Sequence, residues 1–192
     1  MFRRYSQVVA RKRVPAGFLL AAIYLVFARP TPGSLAWGAM VALGGLFLRA
    51  ASAGHLEKNK SLATSGPYAY TRNPLYLGSA LAGIGFSIAG GQWWFLVLLA
   101  IFFITVYWPV MRNEEAHLRQ LFGKDFDAYA RAVPLLWPRL RPWRAAGASQ
   151  KGFDWKLYRS NREYEALLAF LVIVLALWGR RWFSLSRIPF DF

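Results

Sequence analysis

No cysteine occurs anywhere in the 192 residues, which excludes disulfides and thiolate metal sites. Histidine is almost as scarce. His55 and His117 stand far apart without ligand-spaced partners, so no metal centre is expected and both read as surface residues. Only 9 residues are acidic against 24 basic ones, a formal charge of +15. In a nucleic-acid binder such an excess decorates a soluble scaffold. Here it flanks long apolar runs, so anionic lipid headgroups are the expected counterpart and nucleic acid is not. A glycine-rich phosphate loop is missing as well, since no Gly-x-Gly-x-x-Gly follows a strand-like run. Any nucleotide-like cofactor must be held in another way.

What is abundant is apolar sequence, 56% of the chain, gathered into runs. About 20 apolar residues cross a hydrocarbon core. The runs are Pro15 to Ala28, Ser34 to Gly54, Leu75 to Ala89, Trp93 to Met111 and Tyr164 to Gly179. The first lacks a following small-residue cleavage site and reads as a retained anchor. The Gly and Ala of the second permit close helix packing in lipid. Arg29-Pro30-Thr31-Pro32-Gly33 is a tight turn, and Gly90-Gly91-Gln92 leaves room only for an antiparallel helical hairpin. The last run is short, with Arg180, Arg181 and Arg187 beyond it. It is a thin fifth span or an interfacial helix, and the span is preferred.

Lys and Arg set the expected orientation. Arg3, Arg4, Arg11, Lys12 and Arg13 precede the first run, and Lys58, Lys60 and Arg72 separate the second from the third. Many more lie between Arg112 and Arg162. The N-terminus, the 55–74 loop and the 112–162 segment are therefore expected to face the cytoplasm. Between Glu114 and Val133, Leu118, Leu121, Phe122, Phe126 and Tyr129 share a helical face interrupted by Gly123. Pro134, Pro138 and Pro142 then impose an extended strip carrying Trp137 and Trp143, and Ala145 to Gly152 reads as a linker. The expected fold is all-α: one polytopic domain over residues 1–192, with about five transmembrane helices and a cytoplasmic amphipathic helix over the site. Residues 151–192 form a C-terminal extension with the last helix.

This topology brings two polar segments to one membrane edge. The first is Ser65-Gly66-Pro67-Tyr68-Ala69-Tyr70-Thr71-Arg72-Asn73-Pro74-Leu75-Tyr76-Leu77-Gly78; the second is Arg112-Asn113-Glu114-Glu115. Arg72, Asn73 and Tyr76 are expected near Glu114. Other readings stand beside that one. Arg72-Asn73-Pro74 has the pattern of a helix start, with Asn as cap and Pro at the first position. Glu114-Glu115 also suits a solvated first helical turn, and the tyrosines a belt of interfacial aromatics. Asn161-Arg162-Glu163-Tyr164 suits a helix start with an ion pair. Arg49, inside the second run, is costly in lipid and needs a partner or a cavity.

Leu62-Ala63-Thr64-Ser65-Gly66-Pro67-Tyr68 with Arg72-x-Pro74-x-Tyr76-x-Gly78, followed by Glu114-Glu115, Leu118, Phe122-Gly123, Tyr129 and Val133-Pro134, resembles the integral-membrane methyltransferases related to isoprenylcysteine carboxyl methyltransferase and phospholipid N-methyltransferase. The match covers about Gly44 to Pro138. The resemblance implies S-adenosylmethionine as cofactor, a pocket open to the cytosol and a lateral passage for a lipophilic acceptor. Carried over by position, Lys60, Ser61, Leu62, Ala63, Tyr68, Asn73, Pro74, Leu75, Tyr76 and Glu114 would line the cofactor site. Arg72 suits the cofactor carboxylate or acceptor orientation, and Glu114, Glu115 or a tyrosine would be a base for an amine or hydroxyl acceptor. Two departures stand out. Asn73 replaces the histidine usual between Arg and Pro, which removes a titratable group. Val110 occupies the place of the family's substrate-contacting arginine, leaving Arg112 as the nearest candidate for that catalytic role and, with Arg49, for acceptor binding. The alternatives are an NADPH-dependent membrane reductase of a sterol or isoprenoid, which needs more clustered cations than Arg72, Lys58 and Lys60, and a non-catalytic lipid-binding membrane protein.

Overall fold

A computed structural model describes residues 17–144 and 151–185. The N-terminal basic cluster, most of the expected linker and Arg187 lie outside those residues. Regular structure among the described residues is helical, without strands. The helices are α1 (Gly17–Phe27), α2 (Pro32–Ala53), α3 (Pro74–Ala89), α4 (Trp94–Phe102), α5 (Trp108–Ala132), α6 (Trp155–Ser160) and α7 (Tyr164–Leu185).

Local chemistry sets the start of α2. Pro32 sits in its first turn, the Thr31 hydroxyl accepts from the Ser34 amide at 3.0 Å, and Ser34 Oγ accepts from the Thr31 amide at 2.9 Å. A reciprocal cap of this kind is worth ~1 kcal/mol. From there α2 lies antiparallel against α3 along a seam of small residues. A Cβ on Gly45 would come within 2.5 Å of the Gly78 carbonyl and the Ala82 amide, and one on Gly38 would strike the backbone of Gly85 and Ala89. The two backbones thus touch through their glycines, the arrangement that holds helices together where lipid offers no hydrophobic drive.

The hairpin between α3 and α4 turns at Gly91, whose φ of 67° is left-handed and whose missing side chain leaves room for the Arg29 carbonyl. At this end Ala28, Leu35, Ala89, Phe95 and Leu177 form a buried cluster. α7 runs from this cluster to Glu163 at the opposite end of the bundle, where that residue meets Arg49. The outward faces remain apolar: Trp37 and Phe47 on α2, Ile101 on α4, and Val172 and Leu175 on α7 are exposed. Pro32–Ala53 and the run Trp94–Ala132 are long and apolar enough to cross a membrane, and α1 and α3 are shorter apolar helices. Exposed apolar surface of this extent belongs in lipid rather than water, and the molecule is a membrane protein.

Several boundaries differ from those read in the sequence. The apolar run from Trp94 does not stop at Met111. It passes through a π-helical turn, Phe103–Tyr107, and continues as α5, so Glu114 lies within a helix instead of opening one. Pro109 lacks the N–H for an ordinary helical bond, and the wide turn stands just before it. The break falls at Gly123, φ 49° and ψ −120°. α7 extends past Gly179 because Arg180 does not end it; its guanidinium donates to the Leu25 carbonyl at the end of α1. Asn73 precedes α3 but does not cap it. Its side chain instead donates to the Leu135 carbonyl at 3.0 Å.

Candidate functional site

The strip after α5 shapes the loop before α3. Pro134, Pro138 and Pro142 keep it extended, and it exchanges backbone bonds with residues 69–72: Arg72 N–H to the Pro134 carbonyl at 2.9 Å, Arg139 N–H to Tyr70 at 3.0 Å and Trp143 N–H to Ala69 at 2.9 Å. Thr71 and Asn73 donate from their side chains to the carbonyls of Leu135 and Leu136. Tyr129 reaches over from α5 and donates to the Tyr68 carbonyl at 2.7 Å, with the Trp143 ring tilted against its own at 5.3 Å. Trp137 stays exposed, while Trp143 packs against the buried Phe126, Tyr129 and Val133.

Beside this framework is a cavity of about 840 Å³. Of the residues singled out from the sequence, Arg49, Ser61, Leu62, Ala63, Tyr68, Arg72, Asn73, Leu75, Tyr76, Glu114 and Glu115 line it. Lys60, Pro74 and Arg112 do not. Lys60 is exposed, 3.9 Å from Glu57; Pro74 is buried at the start of α3; Arg112 stands behind Glu115.

Two arginine–glutamate centres face the cavity. Glu115, 6% exposed, is held by Arg72 on one oxygen and by Arg112 at 3.0 Å on the other. The buried Nε of Arg72 has no hydrogen-bond partner in the protein. Such an orphaned donor is costly unless something completes it. One helical position away, Glu114 accepts from the Tyr76 hydroxyl at 2.8 Å, and the Tyr76 ring meets Tyr107 edge-on at 5.4 Å. Tyr107 closes the π-helical turn and also lines the cavity.

The second centre joins α2 to the start of α7. Arg49 Nε and Nη2 grip both oxygens of Glu163 at 2.8–2.9 Å, and Nη1 donates to Ser79 of α3. Glu163 itself lines the cavity. Reading Asn161 to Tyr164 as a helix start did not connect it with the site. The available signal was Arg49, whose counter-ion had to come from one of nine acidic residues. Asn161 fixes the approach by donating to the Ala53 and Leu56 carbonyls at 3.0 and 2.9 Å, which satisfies an orphaned acceptor at the end of α2. Phe153 packs by Gly54 and His55, and the Asp154 amide donates to the Gly54 carbonyl at 2.9 Å.

His55 therefore lies under the C-terminal segment, bonded to Ser65 Oγ at 3.0 Å. Burial lowers its pKa, and a hydrogen bond with the Lys151 backbone offsets part of that effect. His117 lines the cavity and contacts Asn59 Oδ1 at 3.3 Å. Asn59, φ 60°, accepts the left-handed geometry that shapes this rim. Burial pushes the Tyr68 and Tyr129 phenols upward; neighbouring Tyr129 and Glu114 add to the effect at Tyr68, while Arg72 opposes it at Tyr129. Both phenols stay protonated near neutrality, and that of Tyr129 is a donor. Among the described residues no group of three or more His, Cys, Asp or Glu side chains is disposed to hold a metal ion.

Comparison with known proteins follows the same residues. Residues 35–125 match the phospholipid methyltransferase family. The cobalt-zinc-cadmium resistance protein CzcN of Cupriavidus metallidurans is 32% identical over 140 residues, 69% of this chain and 64% of that protein. The nickel-cobalt-cadmium resistance protein NccN of Alcaligenes xylosoxydans xylosoxydans is 34% identical over 89 residues, 46% of this chain and 41% of its own. A protein-S-isoprenylcysteine O-methyltransferase of Schizosaccharomyces pombe is 26% identical over 137 residues, 69% of this chain and 58% of that enzyme. The chain thus spans less than two thirds of each of these relatives. No solved structure matches it. The family match and the fission-yeast relative bear out the resemblance read from the motifs.

Proposed function

We propose that this chain, a relative of the integral-membrane methyltransferases of isoprenylcysteine and phospholipid type, transfers a methyl group from S-adenosylmethionine to a lipophilic acceptor at the cytoplasmic face of the membrane. The observation that carries the proposal is the cavity, where an arginine with an unfilled buried donor faces a carboxylate-bearing, aromatic wall.

That donor set suits the cofactor. A carboxylate would complete the Arg72 guanidinium, whose other side Glu115 already fixes. Glu114, oriented by Tyr76, suits an amino group or ribose hydroxyls. The Tyr76 and Tyr107 rings offer faces to a cation. Leu62, Ala63 and Leu75 supply an apolar floor, and Ser61, Tyr68 and Asn73 complete the wall. The cofactor supplies an activated methyl carbon. The chain's own part is to align the acceptor opposite the leaving sulfur, and proximity and orientation provide most of the acceleration.

A carboxylate or thiolate acceptor needs no base. For an amine or hydroxyl, Glu114 is the accessible proton acceptor, because Glu115 is engaged by two arginines and Tyr68 keeps its proton. Arg112 orients Glu115, while Arg49 lies on the acceptor side. Five helical segments, α1 to α3, α4 with α5, and α7, would cross the bilayer, and the part of α5 beyond Gly123 would lie over the cytoplasmic mouth. Calorimetric titration of detergent-purified protein with S-adenosylhomocysteine tests the proposal. Saturable binding is expected, weakened at least roughly tenfold by Glu114→Ala. Binding of NADPH instead would establish the reductase reading. Failure of folded protein to bind either would leave a non-catalytic membrane protein.

A further inference from the structure

Arg49 lines the cavity, but its guanidinium is already filled by groups of the chain itself. Both oxygens of Glu163 are bound by Arg49 in a two-point grip, and Ser79 takes another donor of the same guanidinium. The pair is largely shielded from solvent, with the Glu163 side chain 10% exposed. A bidentate carboxylate held this way is hard to displace by a second one. Glu163 also sits in the turn just before α7, outside the family-matched residues 35–125. Its position is not incidental, since Asn161 and Asp154 tie its approach to the end of α2.

From this geometry we infer that Glu163 is a specificity-determining residue: by filling Arg49, it makes the acceptor side of the cavity reject lipophilic carboxylates and admit uncharged lone-pair acceptors. The inference deepens the methyltransferase reading and rests on it for the word acceptor. In the transfer, the acceptor's lone pair forms the new bond to the methyl carbon. The carbon–sulfur bond of the sulfonium donor breaks, with its electron pair remaining on sulfur. A neutral amine so methylated carries one positive charge and then releases a proton; a neutral thiol likewise loses its proton and becomes a thioether. Neither needs a free guanidinium at Arg49, whereas a carboxylate would be drawn to one. Glu163 acts through Arg49 and is a positioning residue, not a catalytic one.

The test needs neither the natural acceptor nor bound cofactor. Full-length protein in phosphatidylcholine nanodiscs is titrated with dansyl-undecanoate, a fluorescent fatty carboxylate, with its primary amide as the neutral control. Wild type is expected to bind the carboxylate no better than the amide. Glu163→Gln should bind the carboxylate at least roughly tenfold tighter, leave the amide unchanged and lose the gain when Arg49→Gln is added. An unchanged carboxylate affinity in folded Glu163→Gln, or equally tight binding by wild type, would overturn the inference. Should Glu163→Gln fail to fold, the swap Arg49→Glu with Glu163→Arg restores the pair and must still reject the carboxylate; acquisition of binding there would overturn it too. Titration of the same samples with S-adenosylhomocysteine separates the two levels. Cofactor binding without the carboxylate gain sinks only this inference, and the gain without cofactor binding sinks only the methyltransferase reading.

Discussion

Arg72–Glu115 and Arg49–Glu163 are chemically the same pair, yet the protein builds them differently. The first is assembled within the family-matched residues, from the loop before α3 and from α5. It carries an excess cation, Arg112, and a buried donor left over on Arg72. The second joins α2 to the C-terminal helix, and both carboxylate oxygens are consumed. A buried ion pair contributes little net stability once desolvation is counted, but losing one partner is expensive because the other charge stays behind. What distinguishes the pairs is therefore spare capacity: Arg72 keeps an unpaired donor, whereas all three guanidinium nitrogens of Arg49 are engaged.

The sharpest way to break this contrast is to remove one arginine and compare it with loss of the other pair's acid. Arg72→Met is expected to abolish measurable S-adenosylhomocysteine binding and to cost roughly 3 kcal/mol of stability, since Glu115 keeps only the half-exposed Arg112. Glu163→Gln should cost a similar stability yet leave that affinity within about threefold, because its pair offers no donor to the ligand. Calorimetry and thermal unfolding in the same detergent read both; equal loss of affinity in the two variants would erase the distinction. A smaller effect is expected for Arg112→Ala. Its side chain is 57% exposed, so stability should fall by less than about 1 kcal/mol and less still in high salt. Thermal melts at low and high ionic strength check that.

The smallest effect concerns His55. Its folded-state pKa is depressed below 6.5, so folding favours the neutral ring. The associated stability is complete above the unfolded value and is lost as pH falls through the folded one, a net destabilisation on acidification. Melting temperatures measured from about pH 7.5 to 5 should fall more steeply for wild type than for His55→Asn, and parallel slopes would remove His55 from the account.

Much of this architecture was legible. The Gly and Ala of the second run announced close helix packing, Gly90-Gly91 announced the hairpin, and loop charges brought Arg72 and Glu114 to one end. Helix continuity past Met111 was not legible, because an apolar-to-polar change looks the same in sequence whether the helix stops or runs on into water. Nor did local pattern reveal that Asn73 bonds to Leu135 rather than capping α3; a cap would use Oδ1 as acceptor, whereas Nδ2 donates to a strip distant in sequence. Glu163 was hidden for a related reason. Helical periodicity describes neighbours three or four residues away, whereas this partner lies 114 residues from Arg49.

That separation also has a temporal meaning. A chain emerging from the ribosome delivers Arg49 to the membrane with α2, and its counter-ion is not synthesised until 114 residues later. An arginine without its counter-ion is costly in hydrocarbon, and water or headgroup phosphates are the alternative partners. The Arg49–Glu163 contact can therefore form only once residue 163 has been made, and a chain truncated before it would leave Arg49 without this partner.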